Sequence, residues 1–299
     1  MDWRQNHLLK DQRLRGTAGC RRVADGLAQV KHMRFQVTLV QIPCIEGNRE
    51  ENFNWVRGML QNHTSNAKTE FVILPELFAI GFRYDDYETQ GAGVPGPTSQ
   101  FIESIAEENS AYVVGTGLEG VESKFYNTLV MASPEGKMLG TYRKIHPFQS
   151  ERNIFNGGDR IVLFDLPGIK VGVEICYDIR FPEVTRRLAL EGAELVLIPA
   201  AFPDPRAAHW DNLMLARAIE NQLFVAAANR VGEAFDNKTY FGHSQVVDPW
   251  GVRLTRINSA RQVFSTVADT SMIESVREQI TCYVDRAPSG YERVEWFKE

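Results

Sequence analysis

The stretch IKVGVEICYDIRFP, residues 169–182, joins an apolar strand to a helix through a cysteine. Residues 169–175 read as a buried strand, and Cys176 ends it. A polar turn follows. Pro182 suits a first helical position, where its missing N–H is not needed. The helix then spans residues 183–191, with Val184 and Leu188 on one face, and Gly192 stops it. Strand–turn–helix with a nucleophile at the turn exposes the side chain and points it at backbone N–H groups. Alone, a cysteine at the end of a core strand reads first as a small buried hydrophobe. Two further stretches shift that balance. TEFVILPE, residues 69–76, ends in Glu76, and GTYRKIHPF, residues 140–148, contains Lys144. Each places a charge where an apolar segment meets a loop.

Working outward, strands are expected at residues 34–43, 70–74, 112–117, 160–166, 194–198, 224–228 and 264–268. Helices are expected at 50–63, where Phe53, Val56, Met59 and Leu60 share a face, and at 101–109 and 209–222. Residues 77–98 and 146–159 read as loops. One hairpin turns at Pro134-Glu135-Gly136, and a second, pairing 242–247 with 252–257, turns at Asp248-Pro249-Trp250-Gly251.

Two halves share this grammar. EFVILPE at Glu70 matches ELVLIPA at Glu194, YVVGTG at Tyr112 matches FVAAAN at Phe224, and TLVMASPEGKMLG at Thr128 matches SQVVDPWGVRLTR at Ser244. Two similar α/β units in one domain follow. Strands nearly continuous in Val, Ile and Leu need cover on both faces. Two sheets packed face to face with helices outside meet both requirements. A single doubly wound sheet is the alternative, but no G-x-G-x-x-G follows the first strand.

The 299 residues are 43% hydrophobic and 24% charged, with a net charge of -5. That balance gives no reason to expect nucleic acid. No apolar run reaches the roughly 20 residues of a membrane span. Cys20, Cys44, Cys176 and Cys282 are scattered, which argues against a disulfide framework or structural zinc and for a reducing, cytoplasmic setting. The first 30 residues lack a sustained apolar signal region. Residues 1–32 form an N-terminal extension, disordered or a peripheral arm. Residues 33–299 form a single domain with a C-terminal tail from residue 271.

A cysteine nucleophile needs a base. His146, His209 and His243 are candidates that spacing does not separate. Glu76 is better motivated, because a carboxyl just past a buried strand is raised toward a base's working range. Its alternative is pairing with an arginine or capping a helix. Lys144 near the thiol would favour thiolate and steady an oxyanion. Alone it is a solvated loop lysine, as Glu151 alone is a surface acid. Asp178 and Arg180 could form an ion pair fixing the turn, or Arg180 could hold a substrate carboxylate.

With LPE ending in Glu76, YRKIH around Lys144 and GVEICYDIRFPE around Cys176, the chain resembles the carbon–nitrogen hydrolase, or nitrilase, superfamily from Met33 to Tyr291. The resemblance implies a four-layer α-β-β-α sandwich of two mixed sheets with internal pseudo-two-fold similarity. It also implies homodimers paired across outer helices, or higher homo-oligomers, and no metal or organic cofactor. It gives Cys176 as nucleophile, Glu76 as base and Lys144 as oxyanion partner, with the Tyr177 backbone N–H beside it. Glu151 orients Lys144, and the partners are a small linear amide and water.

Tyr177 and Asp178 stand where true nitrilases carry Trp and Glu, which argues against a nitrile substrate. The CYDIRFPE form resembles the branch of omega-amidases and deaminated-glutathione amidases, which act on carboxylate-bearing amides. N-carbamoyl amino acid hydrolases carry two adjacent arginines where this chain has Ile179 and Arg180, so that reading is the alternative. Substrate-wall candidates are Arg180, Phe202, His209 and Tyr177, with Trp210 read as core. A non-catalytic binding role would require a filled pocket or a solvent-facing Glu76.

Overall fold

The computed structural model describes residues 32–90, 94–234 and 237–297. The extension assigned to residues 1–32 lies outside these residues except for His32. Strands β1 (Arg34–Gln41), β2 (Glu70–Ile73), β3 (Tyr112–Val121), β4 (Lys124–Ala132) and β5 (Met138–Arg143) belong to one sheet. Strands β6 (Leu163–Leu166), β7 (Ile169–Val173), β8 (Leu195–Ala200) and β9 (Phe224–Asn229) belong to the other. A two-stranded ribbon of β10 (Val231–Glu233) and β11 (Thr239–Phe241) follows. Then β12 (Gln245–Val247) joins the second sheet and β13 (Gln262–Asp269) returns to the first. The longer helices are α1 (Arg49–Leu60), α2 (Pro97–Asn109), α3 (Pro182–Leu190), α4 (Ala207–Asn221) and α5 (Ser271–Gln279), and a single helical turn at Tyr87–Gln90 interrupts the loop expected over 77–98.

The first sheet runs β13-β1-β2-β3-β4-β5 and the second β12-β9-β8-β7-β6. In the first, β1, β2 and β3 are parallel, with antiparallel β13 and β4 flanking them. In the second, β7, β8 and β9 are parallel, with antiparallel β6 and β12 flanking them. The segments matched in sequence therefore occupy equivalent places: β2 with β8, β3 with β9, β4 with β12.

Burial explains the near-continuous apolar strands. Phe35, Val37 and Leu39 of β1 point between the sheets, where Phe35 meets Phe224 edge-on at 5.5 Å. Val40 and Val72 point the other way, under Val56 and Leu60 of α1 and Ile102 and Ile105 of α2. Val184 and Leu188 of α3 and Met214 and Ala218 of α4 cover the second sheet. The result is the α-β-β-α sandwich of two mixed sheets. Among the described residues, no helix is long and apolar enough to cross a membrane.

Three local expectations change. Helix α2 starts at Pro97 rather than Phe101, because proline takes the first turn and the Ser99 hydroxyl accepts the Gly96 N–H at 2.7 Å. Strands β3 and β4 form a hairpin through Val121–Lys124, whose turn residues Glu122 and Ser123 carry no Gly or Pro signal. The second expected hairpin closes by backbone bonds, Asp248 N to Val252 O at 3.0 Å and Leu254 N to Val246 O at 2.8 Å, with a bridge between Val247 and Arg253, but its return arm does not extend into a strand. Side chains add to the pairing: Thr255 Oγ1 accepts the Val246 N–H, and Arg253 Nε donates to Gln245 Oε1.

Candidate active site

Four strand ends converge to build the site. Glu76 follows β2, Lys144 follows β5, Cys176 follows β7, and Ala200 and Ala201 close β8. Backbone bonds lock these ends together: Glu76 N donates to Ala200 O at 3.3 Å and Lys144 N to Asn127 O at 2.9 Å. The side chains then meet. Lys144 Nζ lies 2.7 Å from Glu76 Oε1 and 2.9 Å from Glu151 Oε2. Glu76 and Lys144 are each 1% exposed, Cys176 6% and Glu151 8%, so the cluster is shielded from water.

Glu76 is fully engaged. Asn127 Nδ2 donates to its Oε1 at 2.7 Å and Ala201 N to its Oε2 at 3.0 Å. The Cys176 thiol is close enough to this carboxylate for the two groups to shift each other's titration. Glu151 sits in the 3-10 turn Gln149–Asn153 and accepts the Phe148 N–H at 2.9 Å as well as Lys144.

The charges explain the resting state. Burial pushes the Glu76 carboxyl up, and the Lys144 charge opposes it. Burial alone would lower the Lys144 ammonium. Glu151, Glu76 and Cys176 outweigh that and hold it well above the usual lysine range. Burial, then the neighbouring Glu76 charge, pushes the Cys176 thiol well up against the pull of Lys144. The thiol is therefore protonated at rest and needs a base within reach.

The backbone presents the thiol as a strand-to-helix elbow. Cys176 has φ +47°, a conformation costly for a residue with a Cβ. Asp178, fully buried, fixes it. Its oxygens accept from Ile175 N at 3.1 Å, Tyr142 OH at 2.7 Å, His146 N at 3.0 Å and His146 Nδ1 at 2.8 Å. An Asp178–Arg180 ion pair is thus excluded: the carboxylate is saturated by other donors. The Tyr177 N–H lies in the first turn of the Cys176–Arg180 3-10 helix, where backbone donors lack an intrahelical acceptor.

Cys176 opens into a cavity of about 100 Å³. Tyr177, Phe148, Phe202, Phe82 and Tyr240 give it aromatic walls; Arg180, Arg206 and Lys238 bring positive charge, and among the described residues Glu151 is the one acid in its lining. Arg180 and Phe202 thus lie where a substrate would. His209 does not line the cavity; its Nδ1 meets Arg180 Nη2 at 3.2 Å. Trp210 is core, donating from Nε1 to His243 O. His146 is committed to Asp178 and His243 to Asp211, so neither stands beside the thiol as Glu76 does.

Sequence reading missed Asn127, Arg206, Tyr240 and the buried pair Arg230–Glu46 at 2.7 Å. That pair braces the walls. Glu46 accepts the Phe82 N–H at 2.5 Å, and the Arg230 guanidinium lies 4.5 Å from the Tyr240 ring centre. Among the described residues, no group of three or more His, Cys, Asp or Glu side chains is placed to hold a metal.

The family profile described as carbon-nitrogen hydrolase matches residues 36–278. The chain belongs to the carbon-nitrogen hydrolase family. It is 33% identical over 257 residues to a 2-oxoglutaramate amidase of Bacillus subtilis, covering 85% of this chain and 98% of that protein. It is 30% identical over 269 residues to the omega-amidase NIT2 of Bos taurus, covering 86% and 97%. Among solved structures, a CN-hydrolase superfamily protein of Xanthomonas campestris, carrying an arsenic adduct in its active site, superposes with a TM-score of 0.79. It is 29% identical, with 86% of this chain and 98% of that chain covered. This carbon-nitrogen hydrolase is an amidohydrolase that works through a buried cysteine beside a Glu–Lys network.

Proposed function

We propose that this carbon-nitrogen hydrolase is an omega-amidase, releasing ammonia from a small linear amide that carries a carboxylate at its far end. The observation that carries this reading is one cavity holding the Cys176 thiol together with Arg180, whose guanidinium rests 5.1 Å from the Phe202 ring centre and 5.9 Å from that of Tyr177. The likeness to amidases of 2-oxoglutaramate and omega-amides agrees with it.

In this reading Glu76 takes the Cys176 proton as sulfur attacks the amide carbonyl carbon. The Lys144 ammonium and the Tyr177 N–H receive the oxyanion, and Glu151 keeps Lys144 aimed. As the tetrahedral intermediate collapses, the C–N bond breaks and Glu76 gives its proton to the leaving ammonia. A thioester remains. Water then attacks it, losing a proton to Glu76. The C–S bond breaks, Glu76 returns the proton to sulfur, and the acid leaves. His209 steadies Arg180, and Phe202 and Tyr177 flank the substrate chain.

Ammonia release from omega-amides of keto acids, N-carbamoyl amino acids, aliphatic amides and nitriles at equal concentration tests the reading. The omega-amides should be fastest. Carbon dioxide released with ammonia from N-carbamoyl amino acids as the fastest substrates would assign the carbamoyl branch instead.

A homodimer paired across the outer helices fits the exposed apolar side chains of Ile219 on α4, Trp250 and Ile280. A cytoplasmic setting fits the free thiols Cys44, Cys176 and Cys282.

A further inference from the structure

Two arginines from distant parts of the chain face the cavity beside Cys176. Arg180 comes from the elbow turn and Arg206 from the N-cap of α4. Arg206 rests 5.2 Å from the Phe148 ring centre and donates to the Asp204 carbonyl oxygen at 3.2 Å. Arg180 contacts His209, Tyr177 and Phe202. Aromatic rings hold a guanidinium in place without neutralising it. Among the described residues, neither arginine pairs with a carboxylate. Glu151, which also lines the cavity, is instead paired with Lys144 and accepts the Phe148 N–H, both on Oε2.

Two like charges thus share a small, half-enclosed space. Burial pushes the Arg180 guanidinium down; Tyr177 opposes this, and the charge of Arg206 adds to it. Such an arrangement is relieved by an anion between the charges. Among the described residues, no carboxylate lies within ion-pair distance of either arginine, Glu151 being paired with Lys144.

We infer that Arg206 is the second arm of a carboxylate clamp, with the far carboxylate of the substrate held between Arg180 and Arg206 while its amide carbonyl meets Cys176. The clamp rests on the amidase reading and adds its specificity-determining residue. Guanidinium forks match the planar carboxylate, so the site selects monoamides of dicarboxylic acids over neutral amides.

The test compares ammonia release from glutaramate, a five-carbon monoamide acid, and pentanamide, a neutral amide of the same length. The wild type should prefer glutaramate. Arg206→Gln should lower the glutaramate-to-pentanamide ratio of kcat/KM by about tenfold to a hundredfold, chiefly through KM. Arg206→Lys should restore part of the preference. An unchanged ratio in Arg206→Gln would overturn the clamp and leave the amidase reading standing, as would a loss confined to kcat. A wild type indifferent to the carboxylate overturns the clamp and the carboxylate-bearing substrate together. Ammonia from no amide at all overturns the amidase reading itself.

Discussion

The Lys144 ammonium lies 2.7 Å from Glu76 Oε1, across 68 positions of sequence, with both side chains 1% exposed. With Glu151 at 2.9 Å, one cation serves two buried carboxylates. Lys144→Met would leave those carboxylates facing each other without compensation. It should abolish ammonia release and cost about 3–5 kcal/mol of stability at pH 7. Urea denaturation at pH 7 and pH 5 checks this. The loss should shrink at pH 5, because burial raises the Glu76 carboxyl and favours its neutral form as pH falls. An equal loss at both values would show that the charges are not its cause.

Cys176 is expected to be a thiol, not a thiolate, in the free enzyme, since burial and Glu76 both raise it. The difference in absorbance near 240 nm between the wild type and Cys176→Ala reads this directly. No thiolate signal should appear at pH 7, and any should emerge only above the ordinary cysteine range. The same variant should release no ammonia while melting like the wild type. A clear thiolate at pH 7 would remove the need for Glu76 as base.

Asp178 gathers four donors at the elbow, and Asp178→Ala would leave the buried Ile175 N–H and Tyr142 hydroxyl without it. At about 1–3 kcal/mol for each buried orphan, a loss of several kcal/mol is expected, with kcat falling because Cys176 is no longer held at φ +47°. Thermal melts and steady-state kinetics check both. A variant that melts and turns over like the wild type would show that the turn holds itself.

Glu174, two positions before the nucleophile, is fully buried with the Thr185 hydroxyl on Oε1 and no partner on Oε2. Burial pushes it up to about 8. Its folded value lies above its unfolded one, so its contribution to stability is complete below the unfolded carboxyl range and declines as pH rises toward 8. At about 1.4 kcal/mol per unit, the wild type should lose of order 3–4 kcal/mol from this group between pH 5 and pH 8. Glu174→Gln, which cannot ionise, should show a flatter profile in denaturant melts. Parallel profiles would mean that the carboxyl ionises freely in place.

Much of the site was legible in the sequence for a specific reason. Glu76, Lys144 and Cys176 each stand where an apolar strand stops, so a charge or thiol there interrupts an otherwise regular pattern. Asn127 carries no such mark. It lies inside β4 and matters only because its amide reaches Glu76 from two strands away, across β3, where the chain leaves the end of β2. Arg206 reads as one more loop arginine until α4 packs and turns it toward the cavity. The turn at Asp248–Gly251 closes as its sequence predicts, but the return arm bonds β12 only as far as Leu254, because the Thr255 hydroxyl takes the next donor, Val246 N–H.

Strand periodicity, the repeated strand–helix–strand–hairpin order and three charged or thiol strand ends are properties of local sequence. By themselves they pointed to two similar α/β halves and a sandwich covered on both faces; the roles of Cys176, Glu76 and Lys144 came from the resemblance their three motifs carry together. The choice between an Asp178–Arg180 ion pair and a free Arg180, the place of His209 behind that arginine, and the entry of Arg206 into the same cavity were decided by tertiary structure alone. Each depends on distances between segments distant in sequence, and those are set by how the two sheets pack, not by the residues on either side.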